Sequence, residues 1–296
     1  MSENTNFNPT LVGSQLSESS WDTILRPRHG WFELQLGELW RYRDLTMMFF
    51  WRDFVAQYKQ TILGPLWYFI QPLFTTLLFT VVFGKVAKLS TDSLPPVLFY
   101  MAGITGWNYF SECLNRTSGT FINNANIFGK VYFPRLAVPL SIVFSNLVKF
   151  GIQFLLFASF MAYYWVQGAA IHPNALVLLT PVLLLIMAAL GLGTGIIVSA
   201  LTVKYRDLQI LVTFGVQLAM YATPVIYPLS IIAEKYRWIV LANPMAPVIE
   251  TFRYAFLGAG TFNPIHLLIS AVTTVIILFV GIVLFNHVER TFMDTV

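Results

Sequence analysis

The chain has 296 residues, 56% of them hydrophobic and 11% charged, with a mean hydropathy of +0.66. A soluble domain carries about 25% charged residues, so the composition excludes an ordinary water-soluble domain and points to an all-α integral membrane protein. The net charge of +4 is small and gathers near one membrane face, which speaks for orientation and against nucleic-acid binding.

Residues 1–37 are polar and turn-rich and read as a flexible N-terminal cytoplasmic segment. They lack the basic, apolar and small-residue succession of a signal peptide, so the first span is expected to act as its own insertion signal. Across residues 38–60, Met47, Phe50, Trp51, Phe54, Val55 and Tyr58 recur at three- and four-residue spacing. Arg41, Arg52 and Lys59 fall largely elsewhere on the wheel. The pattern predicts an amphipathic helix lying in the interface, apolar face down; the alternative is a helix packed on a soluble partner. After Lys59 and Gln60 the chain turns apolar. A helix of ~20 residues covers a hydrocarbon core of ~30 Å, so the first span is predicted at Ile62–Gly84. Gly64-Pro65 sits in its first turn, where the missing proline N–H costs least.

Lys85–Pro96 is a short loop. The second span, Val97–Ser118, holds Trp107, Asn108, Tyr109, Ser111, Glu112 and Asn115. Polar groups at that depth face protein or a water-filled cavity. Thr120–Pro139 is a polar loop able to hold a short helix. The third span, Leu140–Trp165, contains Lys149, and the fourth covers Asn174–Thr202. Gly191, Gly193 and Gly195 lie inside the fourth span with no strand context for a nucleotide fingerprint, so they read as close helix contacts. The fifth span is predicted at Leu208–Tyr227. In residues 229–261, Pro244 and Pro247 separate two short apolar helices, Leu229–Leu241 and Met245–Leu257. Each is ~20 Å long, too short to cross, and together they read as a re-entrant helical hairpin. The last span is Pro264–His287, followed by a cytoplasmic tail, 288–296. Residues 62–287 are thus a domain of six transmembrane helices.

Orientation follows from Lys and Arg. Arg26, Arg28, Arg41, Arg43, Arg52 and Lys59 precede the first span, and the second–third and fourth–fifth loops add more on that side. Lys85, Lys88, Lys235, Arg237 and Arg253 fall on the other. The prediction is a multi-pass protein with both termini cytoplasmic. Cys113 is the single cysteine, which leaves no intrachain disulfide or cysteine-cluster metal site. The four histidines sit at unrelated positions. Gly129-Lys130 is followed by Val131 and is no phosphate loop. No catalytic group, metal site or cofactor is expected, and any energy for transport comes from elsewhere. An integral membrane enzyme would need clustered Asp, Glu or His at one interface.

Four segments carry a resemblance: YKQTILGPLWYFIQP in the first span, NNANIFGKVYFPRLAVP in the second–third loop, YRDLQ with TPVIYP around the fifth span, and NPMAPVIETFR in the short-helix pair. In that order, across residues 38–290, they resemble ATP-binding-cassette permeases that export O-antigen, capsule and teichoic-acid polymers. The polar stretch before residue 20 departs from the pattern. The resemblance implies a homodimer with two copies of a separate nucleotide-binding ATPase subunit, which carries ATP and Mg. It also implies export of a lipid-linked polysaccharide across the bacterial cytoplasmic (inner) membrane. A drug or small-lipid exporter permease on the same scaffold is the alternative.

The resemblance makes the second–third loop a coupling element, with Asn126, Lys130, Phe133 and Arg135 as contacts and Arg206 and Asp207 as a second patch. The plain reading of both is an interfacial, positive-inside loop. Sugar rings offer C–H faces that aromatic side chains cover without fixing one hydroxyl pattern. Trp67, Tyr68, Phe74, Trp107, Tyr109, Phe110 and Tyr221, with Glu112, are therefore candidate substrate-path residues; for each ring the alternative is core or lipid packing. Sequence leaves open whether Glu112 and Lys149 pair.

Overall fold

A backbone inside hydrocarbon must satisfy its own N–H and C=O groups, and a helix does so within one segment. The computed structural model describes residues 36–59, 61–128, 130 and 133–295, and among them every regular element is helical. The segment expected at 1–37 lies almost wholly outside the described residues. Among the described residues four stretches are long and apolar enough to cross a membrane: Gly64–Val86, Ala137–Val166, Ala175–Thr202 and Pro264–Val288.

The expected N-terminal helix is two helices, α1 (Leu36–Arg41) and α2 (Arg43–Tyr58). They part at Tyr42, whose backbone leaves helical geometry at φ −95°, ψ 21°. α2 buries Thr46 and Phe49 and exposes Met47, Met48 and Trp51. The first long stretch opens on a 3-10 turn at Gly64–Leu66, continues as α3 (Trp67–Phe79) and closes as a π-helix over Thr80–Val86. Pro72 lies inside α3 and supplies no N–H to the Tyr68 carbonyl.

α4 (Pro96–Ser118) is the centre of the molecule. It is about 34 Å long, enough to cross, yet too polar to stand out by hydropathy. It packs against α3, α6, α7, α8 and α10, and the run from Leu98 to Trp107 is buried throughout. Beyond that run Asn108, Ser111, Glu112, Asn115 and Arg116 are half-buried. The short α5 (Thr120–Phe128) follows at once, then α6 (Ala137–Val166).

α7 (Thr180–Thr202) lies between α4 and α11 (Pro264–Thr295). A Cβ on Gly191 would come within 2.8 Å of the Cys113 Cβ, and one on Gly195 within 2.7 Å of Thr117. On the other side a Cβ on Gly193 would meet the Leu278 backbone at 2.8 Å. α11 continues well past the expected end of the span at His287.

α8 (Leu208–Ala222) is shorter than its predicted Leu208–Tyr227. Thr223 is extended, φ −99°, ψ 147°, as the residue before a proline is biased to be. Leu229–Ile231 is a 3-10 turn, and α9 covers Glu234–Leu241, starting later than expected because Ile232 is extended. Asn243 accepts the Met245 N–H at 3.0 Å and opens α10 (Met245–Leu257). Gly258, at φ +76°, closes it with the left-handed turn glycine allows. α10 is almost wholly buried. The described residues, from Leu36 onward, form one compact unit.

Candidate functional site

On α4, Asn108, Glu112 and Arg116 follow at four-residue intervals and share a face. On the antiparallel α6 they meet Gln153, Lys149 and Asn146 in turn. Asn108 Nδ2 donates to Gln153 Oε1 at 3.3 Å, Lys149 Nζ to Glu112 Oε2 at 3.1 Å, and Arg116 Nη1 to Asn146 Oδ1 at 3.4 Å. Asn146 Nδ2 also reaches Cys113 Sγ at 3.7 Å. Three polar rungs thus cross one helix seam. Charge in an apolar interior is expensive unless paired and hydrogen-bonded. The Lys149 side chain is 14% exposed and the Glu112 side chain 46%, so the pair sits at the mouth of the seam. Tyr68 and Gln71 of α3 cover it. The Lys149 ammonium is 5.1 Å from the Tyr68 ring centroid, and the groups enclose a polar cavity of about 70 Å³.

A second cluster joins two of the four marked sequence segments. Arg253, 1% exposed, donates through Nη1 to Glu250 Oε1 at 2.6 Å and through Nη2 to the Pro224 carbonyl at 2.9 Å. Its guanidinium lies 3.8 Å from the Phe99 ring centroid. Asn243 Nδ2 donates to Thr223 Oγ1 at 2.7 Å. TPVIYP, the break after α8, is thus tied to the NPMAPVIETFR segment. Gly103 of α4 permits it: a Cβ there would meet the Val225 carbonyl at 2.8 Å.

The third cluster surrounds α5 and the loop that follows it. Phe133 is buried with its ring 5.4 Å from Phe49 and 5.7 Å from Phe128. The Arg135 guanidinium lies over Phe128 at 5.4 Å. Phe121 stacks on Phe285 at 4.5 Å, and its N–H donates to Ser199 Oγ at 3.2 Å. Thr202 Oγ1 donates to the Ser118 carbonyl at 3.3 Å, which sets the α7–α8 loop beside the start of α5. Asn126, Lys130, Arg206 and Asp207 are exposed at this end.

The candidate path rings divide. Trp107, Tyr109 and Phe110 are core residues of the single chain, with Trp107 against Phe110 and Tyr109 against Phe150. Trp67, Phe74 and Tyr221 are exposed, each at least half. Tyr68 stands between, at the polar seam with Glu112. Phe133 spends its packing inside the chain, whereas Asn126, Lys130, Arg206 and Asp207 are exposed. Sequence reasoning overlooked Arg253, Asn146 and Gln153 as interacting groups. The signal was present for the last two: Asn146, Lys149 and Gln153 are spaced for one helix face, as are their partners on α4. Among the described residues no cluster of His, Cys, Asp and Glu could hold a metal ion.

Comparison with known proteins fits this arrangement. The chain is 30% identical over 253 residues to an O-antigen export system permease protein RfbA of Klebsiella pneumoniae, covering 85% of this chain and 94% of the relative. It is 30% identical over 263 residues to the protein of the same name from Myxococcus xanthus, covering 88% and 98%. The polysialic acid transport protein KpsM of Escherichia coli is 23% identical over 247 residues, covering 83% and 94%. The family model for ABC-2 type transporters matches residues 44–257, which takes in nearly all of α2, the first two clusters, the third except Phe285, and every candidate residue. The chain belongs to the ABC-2 type transporter family.

Proposed function

We propose that the chain is the membrane-spanning permease subunit of an ATP-driven exporter that moves a lipid-linked, O-antigen-like polysaccharide across the bacterial cytoplasmic membrane. The observation that carries this reading is the similarity to O-antigen export permeases over 94% and 98% of their length. α4, and α8 lengthened by the Thr223–Pro228 segment that continues it, join the four apolar stretches to give six spans with both termini cytoplasmic. α9 and α10 form the re-entrant pair on the outer side. ATP hydrolysis belongs to two copies of a separate subunit, which dock at the end bearing Asn126, Lys130, Arg206 and Asp207. A second copy of the chain faces Trp67, Phe74 and Tyr221 and completes the path. The polar seam at Glu112 and Lys149, with Tyr68, offers hydroxyl-binding groups beside an aromatic face, the pairing a sugar ring needs. A drug or small-lipid exporter calls instead for a deep aliphatic chamber inside the bundle.

The test is export. Cells lacking this permease should accumulate lipid-linked polymer on the cytoplasmic side and lose it from the surface, and the intact gene should restore it. Purification should bring down an ATPase and the lipid-linked polymer, read by mass spectrometry. Unchanged surface polysaccharide in the deletion strain would overturn the reading. Cysteines at Ser90 and Asn126 test the topology: an impermeant thiol reagent should label the first from outside and the second only from inside.

A further inference from the structure

A cavity of about 750 Å³ lies between α1–α2 and the first third of α6. Its walls are two stripes at helical spacing: Thr46, Met47 and Phe50 on α2, and Leu140, Phe144 and Leu147 on α6. Along α6 the lined stretch, Leu140 to Val148, is about 12 Å long. A contiguous open apolar surface of this size marks a site of interaction with apolar material, and apolar walls hold no ordered water. The occupant is therefore apolar. Met47 and Phe144 are 64% and 53% exposed, so the cleft opens sideways from the chain.

One end differs. Among the described lining residues Arg43 is the charged one, beside Trp40. Its Nη1 donates to the Trp40 carbonyl at 3.5 Å and its guanidinium lies 5.7 Å from the indole. The approach of its Nε to Asp44 Oδ1 is long, 3.9 Å, and the Asp44 side chain is 88% exposed, so water screens that pair and the cation stays available. Tryptophan and arginine together mark head-group depth, and the apolar stripes run away from them.

We propose that this cleft binds one acyl chain of an anionic phospholipid, with the lipid phosphate on Arg43. An apolar tail and a single anionic head match the order of the lining, and anionic lipid is drawn to cations at the cytoplasmic surface. The lipid fills the gap beside the direct contact of α2 with α6. The inference stands on the cleft and does not depend on which substrate is exported.

The experiment offers delipidated full-length protein equal amounts of phosphatidylglycerol and phosphatidylcholine and counts retained lipid by native mass spectrometry. Wild type should prefer phosphatidylglycerol roughly fivefold, the bias one cation confers. Arg43→Gln should bring the ratio near one, and Arg43→Lys should keep most of it. Val148→Trp, which fills the cleft, should lower retention of both lipids severalfold. A cysteine at Met47 should react with a maleimide in the delipidated protein and be protected by phosphatidylglycerol. Equal retention by wild type, or a preference that survives Arg43→Gln, overturns the proposal. So does a Met47 cysteine already protected without lipid, which would assign the cleft to protein: residues 1–35 or a second copy.

Discussion

The ammonium of Lys149 lies 3.1 Å from the carboxylate of Glu112 and 5.1 Å from the ring of Tyr68, so one cation bridges α3, α4 and α6. An exposed ion pair is worth about 0.5 kcal/mol, and removing one partner of a buried pair costs about 3–5 kcal/mol. With Glu112 half exposed, Glu112→Gln should cost between the two, roughly 1–2 kcal/mol. Glu112→Gln with Lys149→Gln should regain part of that loss. Thermal unfolding of the four proteins in detergent gives the coupling; strictly additive losses would deny the pair.

Arg253 is a stricter case. Arg253→Gln strands the Glu250 carboxylate and withdraws a donor from the Pro224 carbonyl. The loss should be about 3–5 kcal/mol, visible as a much lower melting temperature or failure to accumulate. Arg253→Met with Glu250→Gln removes both charges and should recover some stability, short of wild type because the carbonyls stay unserved. A wild-type melting curve for Arg253→Gln would show that the clamp holds nothing.

At the end that bears Asn126, Lys130, Arg206 and Asp207, burial separates two kinds of residue. Phe133→Ala opens a hole between Phe49 and Phe128 and should cost about 3 kcal/mol, so any loss of coupling there is confounded with loss of fold. Lys130→Glu with Arg206→Glu touches exposed side chains and should change stability by less than about 0.5 kcal/mol. In this reading it should nonetheless weaken ATPase association by tenfold or more in pull-down titration. Normal association would take these positions out of the interface.

The same division orders the aromatic rings. Trp107→Ala should destabilise by about 3–5 kcal/mol and lower protein abundance. Trp67→Ala with Phe74→Ala should leave abundance unchanged and slow polymer export severalfold. Export per molecule of protein, compared across the variants, is the measurement. Full export without Trp67 and Phe74 would return both rings to lipid packing.

Helices were legible in the sequence because their ends are written in local chemistry. Pro224 explains why α8 stops at Ala222, and Gly258 explains the close of α10. Partners across helices were less legible, because a helix face is periodic in sequence while its neighbour is not. Counting cations by membrane side treats Arg253 as a solvent-facing charge; the structure encloses it between α4 and the α8 break. Trp107, Tyr109 and Phe110 point around most of α4, and a helix walled on several sides buries them all. Glu112 and Lys149 stood out singly as costly charges, yet only the antiparallel register of α4 and α6 makes them a pair.

The glycines of α7 bear on how such a molecule can move. With Gly191 and Gly195 against α4 and Gly193 against α11, backbone meets backbone on both sides of α7. Sliding any of the three past another by one residue would drive a side chain into main chain. α4, α7 and α11 therefore travel as a single rigid slab. The transport stroke falls to joints outside it: the Pro72-interrupted α3 and the short α8.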